Sequence, residues 1–197
     1  MPTKPVYGLV LAGGESRRMG RDKALLPRDG KSQLAHIAAL LEEVADRVFV
    51  STRREQQDEA ERSQFVQIVD RYKDIGPIAG ILSAMDEYPE VDWLIVACDL
   101  PNIDTATLRH LLDNRSAEQP FTAFRSSHDG LPEPLCALYL SGSDAIIRQF
   151  IDNDISVCPR KILIRSDTYL IEQPNPVALD NINTPDDLES SILGTAS

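Results

Sequence analysis

The sequence lacks any apolar run of the roughly 20 residues that a helix needs to cross a bilayer. Its first apolar segment, Val6–Ala12, has seven residues, and the basic residues Arg17, Arg18, Arg21 and Lys23 follow it. A secretory signal peptide has the opposite order, with its basic residues before the apolar segment. We therefore expect a cytoplasmic protein with no membrane partner.

Cysteine is scarce, and its spacing does not indicate a metal site. Cys98, Cys136 and Cys158 form no CxxC pair and no zinc-type pattern. An odd number of cysteines without a secretion signal indicates reduced thiols. We expect Cys98 and Cys136 to be small buried apolar residues.

Basic residues are fewer than acidic ones: the chain has 20 Lys and Arg against 31 Asp and Glu, and its net charge is -11. Proteins that bind nucleic acid usually present a basic face, so we expect no nucleic-acid partner. An acidic chain can still bind phosphate where its positive charge is concentrated. Residues 17–23 hold four basic residues and one acid, and they are the place where this condition is met.

Short apolar runs alternate with amphipathic segments along the whole chain. The predicted strands are Tyr7–Leu11, Arg47–Ser51, Phe65–Val69, Trp93–Ala97, Phe121–Arg125, Leu135–Leu140, Lys161–Ile171 and Val177–Leu179. The predicted helices are Ser32–Ala45, Thr52–Ser63, Pro77–Tyr88, a helix capped by Asp104, Ser141–Ile151 and a helix that begins at Thr184. This alternation predicts one α/β domain over residues 1–197, a three-layer α/β/α sandwich around a mostly parallel twisted sheet.

A glycine-rich and arginine-rich loop, Leu11–Lys23, follows the first predicted strand. Gly13 and Gly14 let the backbone approach a ligand, and their N–H groups can point at phosphate oxygens. The loop is neither a P-loop nor a dinucleotide-binding G-x-G-x-x-G, which weakens a dehydrogenase interpretation. By itself the composition predicts an anion-binding turn, and a plain glycine turn beside a solvated basic loop stays open.

Five motifs in order resemble those of the molybdenum cofactor guanylyltransferases. They are LAGGESRRMGRDK from Leu11, GPIAGIL from Gly76, CDLP from Cys98, HDG from His128 with Pro134 and Ala137-Leu138, and NINTPDDL from Asn181. These motifs cover nearly the whole chain, which makes them far more specific than one glycine motif. The resemblance implies a Rossmann-like nucleotidyltransferase fold, with a nucleotide-binding half over about residues 1–100 and an acceptor-binding half over about residues 101–197.

The resemblance also implies the partners and the roles of individual residues. The partners would be GTP, a molybdopterin-type cofactor as acceptor, and molybdoenzymes or cofactor-delivery proteins. Mg²⁺ would be the cofactor, bound by Asp99, which also follows a buried strand at the edge where α/β sheets bind ligands. The implied catalytic residues are Lys23, Asp99 and Arg17; the implied nucleotide-binding residues are Leu11, Ala12, Gly13, Gly14, Arg18, Lys23, Asp70, Gly76, Pro77 and Gly80; the implied acceptor-binding residues are Asn181, Asn183 and His128.

Simpler structural roles stay open for several of these residues. Asp70 could form a turn, Gly80 could permit close helix packing, His128 could be a loop residue, and Asn181 with Asn183 could shape a turn. The family often has an N-x-N-R pattern after the second strand, whereas this chain reads Ser51-Thr52-Arg53-Arg54.

Two functional alternatives also stay open. The first is the same transfer chemistry with CTP or with a sugar or alcohol phosphate as acceptor. The second is a nucleotide-binding protein without catalytic activity. The presence of Lys23, Asp99, Asn181 and Asn183 together argues against the second alternative, because a binding protein has no need of a metal site or an acceptor site.

Overall fold

A seven-stranded sheet forms the centre of the molecule in the computed structural model, which describes residues 4–14 and 22–182. The strands are β1 (Val6–Leu11), β2 (Pro27–Arg28), β3 (Lys31–Ser32), β4 (Arg47–Thr52), β5 (Gln67–Val69), β6 (Asp92–Ala97), β7 (Phe121–Arg125), β8 (Pro132–Tyr139) and β9 (Thr168–Ile171). The helices are α1 (Gln33–Glu42), α2 (Pro77–Glu87), α3 (Thr105–Asp113), α4 (Asp144–Asp152) and α5 (Pro159–Ile164). Short 3-10 turns lie at Lys23–Leu25, Arg54–Gln56 and Arg62–Gln64.

The sheet is mostly parallel, as the sequence predicts. Its strand order is β5-β4-β1-β6-β8-β7-β9, and β2 and β3 pair separately as a small hairpin. Within this sheet β8 runs antiparallel to both of its neighbours, and the other strand pairs are parallel.

Alternate residues of the central strands point into two separate hydrophobic cores. Val10 of β1 packs with α1 and α3 on one face, whereas Leu9 packs with α2, α4 and α5 on the other. Every residue of β6 is buried, because helices cover both faces of that strand. The result is the predicted three-layer α/β/α arrangement. Within residues 4–14 and 22–182, no helix combines the length and apolarity that a bilayer crossing requires.

The order in which the chain adds strands to the sheet changes side at β1, although the strands themselves stay parallel. From β1 the chain goes to β4 and β5 on one side, and it then returns to β6 on the other side of β1. Leu11 at the carboxyl end of β1 is in register with Ser51 of β4 and with Ala97 of β6. Open α/β sheets bind ligands in the crevice at such a reversal, outside the carboxyl ends of the strands.

Three predicted elements are wrong. Thr52–Ser63 is not a helix and contains two short 3-10 turns, because this polar stretch has no apolar stripe that could hold a helix against the core. The first part of Lys161–Ile171 belongs to helix α5, which begins at Pro159 and buries Ile162 and Leu163. The segment Val177–Leu179 is a turn, closed by bonds from Ala178 N to Asn175 O (3.1 Å) and from Asp180 N to Val177 O (3.3 Å). The predicted helix that begins at Thr184 lies outside the described residues.

The amino end of α3 supplies a test of this fold. The Asp104 carboxylate accepts a 2.7 Å hydrogen bond from the Thr107 N–H, which is otherwise unpaired at a helix start. Replacing Asp104 with alanine should lower the free energy of unfolding by about 1 kcal/mol. Chemical denaturation measures this change. Asp113→Ala, at the opposite end of the same helix, is the control and should not destabilise the protein, since an acid there opposes the helix dipole.

Candidate functional site

A cavity of about 310 Å³ lies at the carboxyl ends of β1 and β6. It is lined by ten of the residues that the sequence analysis selects: Leu11, Ala12, Gly13, Gly14, Lys23, Asp70, Gly76, Pro77, Gly80 and Asp99. The lining also includes Asp22, Ala24, Ser51, Arg53, Ala97, Cys98 and Leu135. We call this space the first cavity. Leu11 and Asp99, which are almost 90 positions apart, meet there because the parallel strands β1 and β6 end at the same edge of the sheet.

The backbone after β1 is held as a short extension of the sheet. Ala12 N donates to the Ser51 carbonyl at 3.3 Å, and Cys98 N donates to the Leu11 carbonyl at 3.4 Å. These bonds fix the start of the glycine-rich loop between β4 and β6. The loop backbone therefore forms a rigid wall of the first cavity up to the point where the Gly13-Gly14 pair begins.

Lys23 and Asp99 face each other across the first cavity. The Lys23 ammonium Nζ lies 3.7 Å from Asp99 Oδ2, and the two side chains are only 16% and 21% exposed. Lys23 starts a 3-10 turn that is capped by Asp22, whose Oδ1 accepts a 3.0 Å hydrogen bond from Ala24 N. Burial raises the pKa of the Asp99 carboxyl, and the nearby Lys23 charge offsets part of that increase.

Asp99 is suited to bind a metal ion together with a phosphate ligand. Its Oδ1 is buried and has no hydrogen-bond partner among residues 4–14 and 22–182, so the carboxylate keeps one oxygen available. The same residues contain no group of three His, Cys, Asp or Glu side chains that could coordinate a metal alone. This arrangement fits Mg²⁺, which binds through one or two carboxylates with water and substrate phosphates rather than in an all-protein cage.

Asp70 and Ser51 form a second polar pair in the wall of the first cavity. Ser51 Oγ donates a 2.8 Å hydrogen bond to Asp70 Oδ1, which lowers the carboxyl pKa, while the larger effect of burial raises it. The second carboxylate oxygen would lie 3.3 Å from a Cβ placed on Gly13. Asp70 is therefore held beside the glycine-rich loop by a partner on β4, which is more than a turn-forming role requires.

The first turn of α2 closes this wall. Gly76 caps the helix at φ 59°, a conformation that glycine adopts without strain, and Pro77 occupies the first helical position. A Cβ on Gly80 would collide with Ser51 Oγ and lie 3.0 Å from Ser51 Cβ. Gly80 thus lets α2 pack closely against β4, and it also lines the first cavity.

A second cavity of about 530 Å³ adjoins the first and shares Pro77 and Leu135 with it. It contains two of the predicted acceptor-binding residues, His128 and Asn181. His128 Nε2 lies 2.9 Å from Asp180 Oδ1, which joins the β7–β8 loop to the chain just before Asn181. The next residue, Ile182, donates its N–H to the Asp99 carbonyl at 2.9 Å. The segment that carries Asn181 is thereby held against the residue that faces Lys23.

Arg160 supplies the positive charge of the second cavity. This residue of α5 bonds to Asp129 at 3.0 Å and to Glu133 at 3.1 Å, and its Nε donates to the Pro132 carbonyl at 3.0 Å. The guanidinium is two-thirds buried and is held in place by β8 and the preceding loop. The second cavity therefore offers hydrogen-bond donors and carboxylate acceptors to a polar ligand, and Asp129 and Glu133 balance the charge of Arg160.

A known family accounts for this geometry. The family described as the MobA-like NTP transferase domain matches residues 8–165. The matched range includes every residue that lines the first cavity. The chain belongs to this family.

Individual relatives of this MobA-like domain have related names. A Synechocystis protein named molybdenum cofactor biosynthesis bifunctional protein is 37% identical over 183 residues, which are 93% of this chain and 52% of that protein. A Bacillus cereus protein named probable molybdenum cofactor guanylyltransferase is 37% identical over 138 residues, which are 67% of this chain and 66% of that protein. The chain thus spans about half of the first relative and just under two thirds of the second.

Solved structures share the fold over nearly the whole chain. The crystal structure of molybdopterin-guanine dinucleotide biosynthesis protein A from Archaeoglobus fulgidus has a TM-score of 0.76 at 25% identity, covering 93% of this chain and 95% of that one. A nucleotidyl transferase from Methanothermobacter has a TM-score of 0.75 at 19% identity, covering 94% of this chain and 95% of that one, and at this identity it shows the fold alone.

The structure leaves part of the predicted site undescribed and adds residues that the sequence analysis missed. Arg17, Arg18 and Asn183 lie outside the described residues. Ser51, Arg53, Arg62 and Arg160 were not among the residues predicted from the sequence. Ser51 and Arg53 occupy the position where the chain departs from N-x-N-R, and that departure was the available signal. Arg160 lies at the start of a helix, just before the segment Lys161–Ile171 that was predicted as a strand, and Arg62 lies in the polar stretch that was predicted as a helix.

The burial of Asp99 in the MobA-like domain predicts a pH-dependent stability. Because its folded-state pKa is raised, the wild type is most stable relative to Asp99→Asn below the unfolded pKa of about 4. This advantage is lost as the pH rises through the folded pKa. Asp99→Asn should therefore have a higher melting temperature than the wild type at pH 7, and the difference should shrink toward pH 4. Thermal unfolding across this range measures it.

The control for this prediction is Asp152→Asn, which changes an exposed carboxylate at the end of α4. Its melting temperature should follow that of the wild type at every pH. A destabilised Asp99→Asn at pH 7 would mean that the attraction between Lys23 and Asp99 outweighs the cost of burying the carboxylate.

Proposed function

We propose that this protein transfers GMP from GTP to the terminal phosphate of a molybdenum-bound molybdopterin cofactor and releases pyrophosphate. The observation that carries the proposal is the Lys23–Asp99 pair, which lies in a first cavity that adjoins a second polar cavity. A reaction that joins two phosphate-bearing substrates needs two such neighbouring sites. The names of the Bacillus and Archaeoglobus relatives support the choice of substrates.

The two cavities divide the substrates between them. The first cavity is lined by residues between Leu11 and Asp99, together with Leu135. The second is lined by Pro77, Leu100 and residues between Ser126 and Asn181. We assign GTP to the first cavity and the pterin acceptor to the second, and we keep as part of this proposal a nucleotide-binding half over about residues 1–100 and an acceptor-binding half over about residues 101–197. Arg17, Arg18 and Asn183 keep their proposed roles in phosphate and acceptor binding.

The chemistry follows from charge and position. An oxygen of the acceptor phosphate forms a bond to the α-phosphorus of GTP, and the bond from that phosphorus to the oxygen bridging to the β-phosphate breaks. Lys23 stabilises the negative charge of the phosphates as a compact cation that tolerates small movements. Bound Mg²⁺, held by Asp99, would neutralise further phosphate charge. The protein's contribution is to hold two anions together, which needs no covalent intermediate.

The choice of GTP rests on the part of the first cavity that is formed by Gly13, Asp70 and the start of α2. Gly13, Asp70, Gly76, Pro77 and Gly80 all line this cavity, and the last three belong to the GPIAG motif at the start of α2. In the molybdenum cofactor guanylyltransferases that the sequence resembles, this motif accompanies the use of GTP. Related members that use CTP have L-A-A-G at the start of the loop after the first strand. Molybdoenzymes or cofactor-delivery proteins would receive the product.

A panel of triphosphates tests the nucleotide assignment. Purified protein with Mg²⁺ and molybdopterin should release pyrophosphate with GTP at least about tenfold faster than with CTP, ATP or UTP, since a site built for one base disfavours others by more than 1 kcal/mol. Coupled pyrophosphate detection measures the rates. Faster turnover with CTP than with GTP would contradict the assignment of GTP as the substrate. Turnover with a sugar phosphate but not with molybdopterin would contradict the assignment of the acceptor.

A substitution of Asp99 separates catalysis from binding alone. Asp99→Ala should lower the rate of pyrophosphate release at least about 100-fold, as the loss of a group that stabilises transition-state charge usually does. Asp152→Ala is the matched control and should keep the wild-type rate. Nucleotide binding without any pyrophosphate release in the wild type would favour the non-catalytic alternative.

A further inference from the structure

One fully buried arginine contacts both ends of the glycine-rich loop. Arg62 is only 1% exposed, although it lies in a polar stretch of sequence. Its Nη2 donates to the Ala12 carbonyl at 2.7 Å and to Asp22 Oδ2 at 2.6 Å, and its Nη1 bonds to Glu59. Ala12 lies near the start of the Leu11–Lys23 loop and Asp22 near its end, so one nitrogen bonds to both ends of the loop.

The contact with Asp22 continues to Lys23. One oxygen of the Asp22 carboxylate accepts the Arg62 bond, and the other caps the 3-10 turn that begins with Lys23. Lys23 in turn faces Asp99 at 3.7 Å. Arg62 is thus two contacts away from the phosphate-binding ammonium and directly bonded to the loop backbone on the other side.

Hydrogen bonds from the sheet also hold the backbone of Arg62 in place. Gln67 of β5 donates its side-chain amide to the Arg62 carbonyl at 3.0 Å, and its Oε1 accepts a 3.0 Å bond from Thr52 Oγ1 of β4. The backbone of Arg62 is therefore anchored through Gln67 to two strands of the sheet, while its guanidinium bonds to the loop ends. Such an anchor can transmit the rigidity of the sheet to the loop.

The burial of Arg62 is not explained by packing alone. A buried charge is costly to desolvate, and an apolar residue of similar size usually stabilises a core equally well or better. The Nη2 contacts of Arg62 go to the two loop ends, whereas a purely structural ion pair could have any partner. The bonds to Asp22, Glu59 and the Ala12 carbonyl offset the desolvation cost, and two of these partners line the first cavity.

We propose that Arg62 is a positioning residue for triphosphate binding, which fixes the Lys23 ammonium relative to the Ala12–Gly14 backbone. The inference rests on the proposed function, because it requires that the first cavity bind a nucleoside triphosphate. Arg62 does not touch the ligand. It acts through Asp22 on one side of the loop and through the Ala12 carbonyl on the other.

A double-mutant cycle on nucleotide affinity tests this inference. Isothermal titration with Mg²⁺ and GTP, or with whichever triphosphate the wild type binds best, is applied to Arg62→Lys, Lys23→Ala and the double variant. Arg62→Lys keeps the charge but cannot bridge both loop ends, and it should weaken Kd about tenfold in the wild-type background. In the Lys23→Ala background the same change should cost less than about threefold, since coupled residues are not additive.

A substitution of Asp22, the partner of Arg62, gives a second test that does not depend on whether the Arg62 variant folds. Asp22→Asn keeps an oxygen that can cap the turn but loses the charge that pairs with Arg62. Removing a negative charge from the cavity wall should tighten the binding of a polyanion by electrostatics alone. A positioning role predicts the opposite, a Kd that is weakened at least about threefold. Unchanged or tighter binding by Asp22→Asn would overturn the inference.

The matched control is another arginine that bonds to several partners. Arg148 bonds to Tyr72, Asp86 and Asp144 between α2 and α4, and it does not line the first cavity. Arg148→Lys should lower the melting temperature without changing Kd.

The outcomes of the cycle separate the two proposals. If Arg62→Lys weakens Kd by the same factor with and without Lys23, Arg62 has only a structural role, and the inference fails while the proposed function stands. If the wild type binds no triphosphate, both fail.

Discussion

A carboxylate and an ammonium that are both largely buried, 3.7 Å apart at the end of the central strands, set the demands that the surrounding structure meets. Asp99 must follow a strand that is covered on both faces. This position brings it to the ligand-binding edge of the sheet and also desolvates its carboxylate. Lys23 arrives from a different part of the chain and must be held by local bonds. The cap by Asp22, the bond from Arg62 and the bond from Ile182 to the Asp99 carbonyl all serve this arrangement.

The sequence predicts the parts of the fold that depend on local periodicity. β1 and β6 are short apolar runs, and α2 has a regular apolar stripe after Gly-Pro, so these elements and the edge where they end follow from the pattern alone. The placement of Leu11–Gly14 and Asp99 in one cavity could be predicted as a consequence. Helix α5 could not, because its six residues are too few to show a period and its Ile162, Leu163 and Ile164 also suit a strand.

Residues whose role depends on distant partners escaped the sequence analysis. Nothing in Glu59–Gln64 distinguishes Arg62 from its charged neighbours, since its burial follows from two loop ends that lie 40 and 50 residues away in the chain. The Ser51 position shows a related limit. Its small side chain fits against Gly80 and bonds to Asp70, so it and Gly80 have complementary sizes, which no single position reveals. Pairwise constraints of this kind need the three-dimensional contact.

The order of the two cavities bears on the direction of the proposed transfer. In phosphoryl-type displacements the attacking and leaving oxygens lie on opposite sides of the phosphorus. Asp22 and Lys23 line only the first cavity, whereas Pro77 and Leu135 line both. If pyrophosphate departs toward Lys23, the acceptor must approach across Pro77 and Leu135, which is where the second cavity opens. The wall that separates the substrates is thus also the path along which they meet, and it consists of side chains that carry no charge to repel either phosphate.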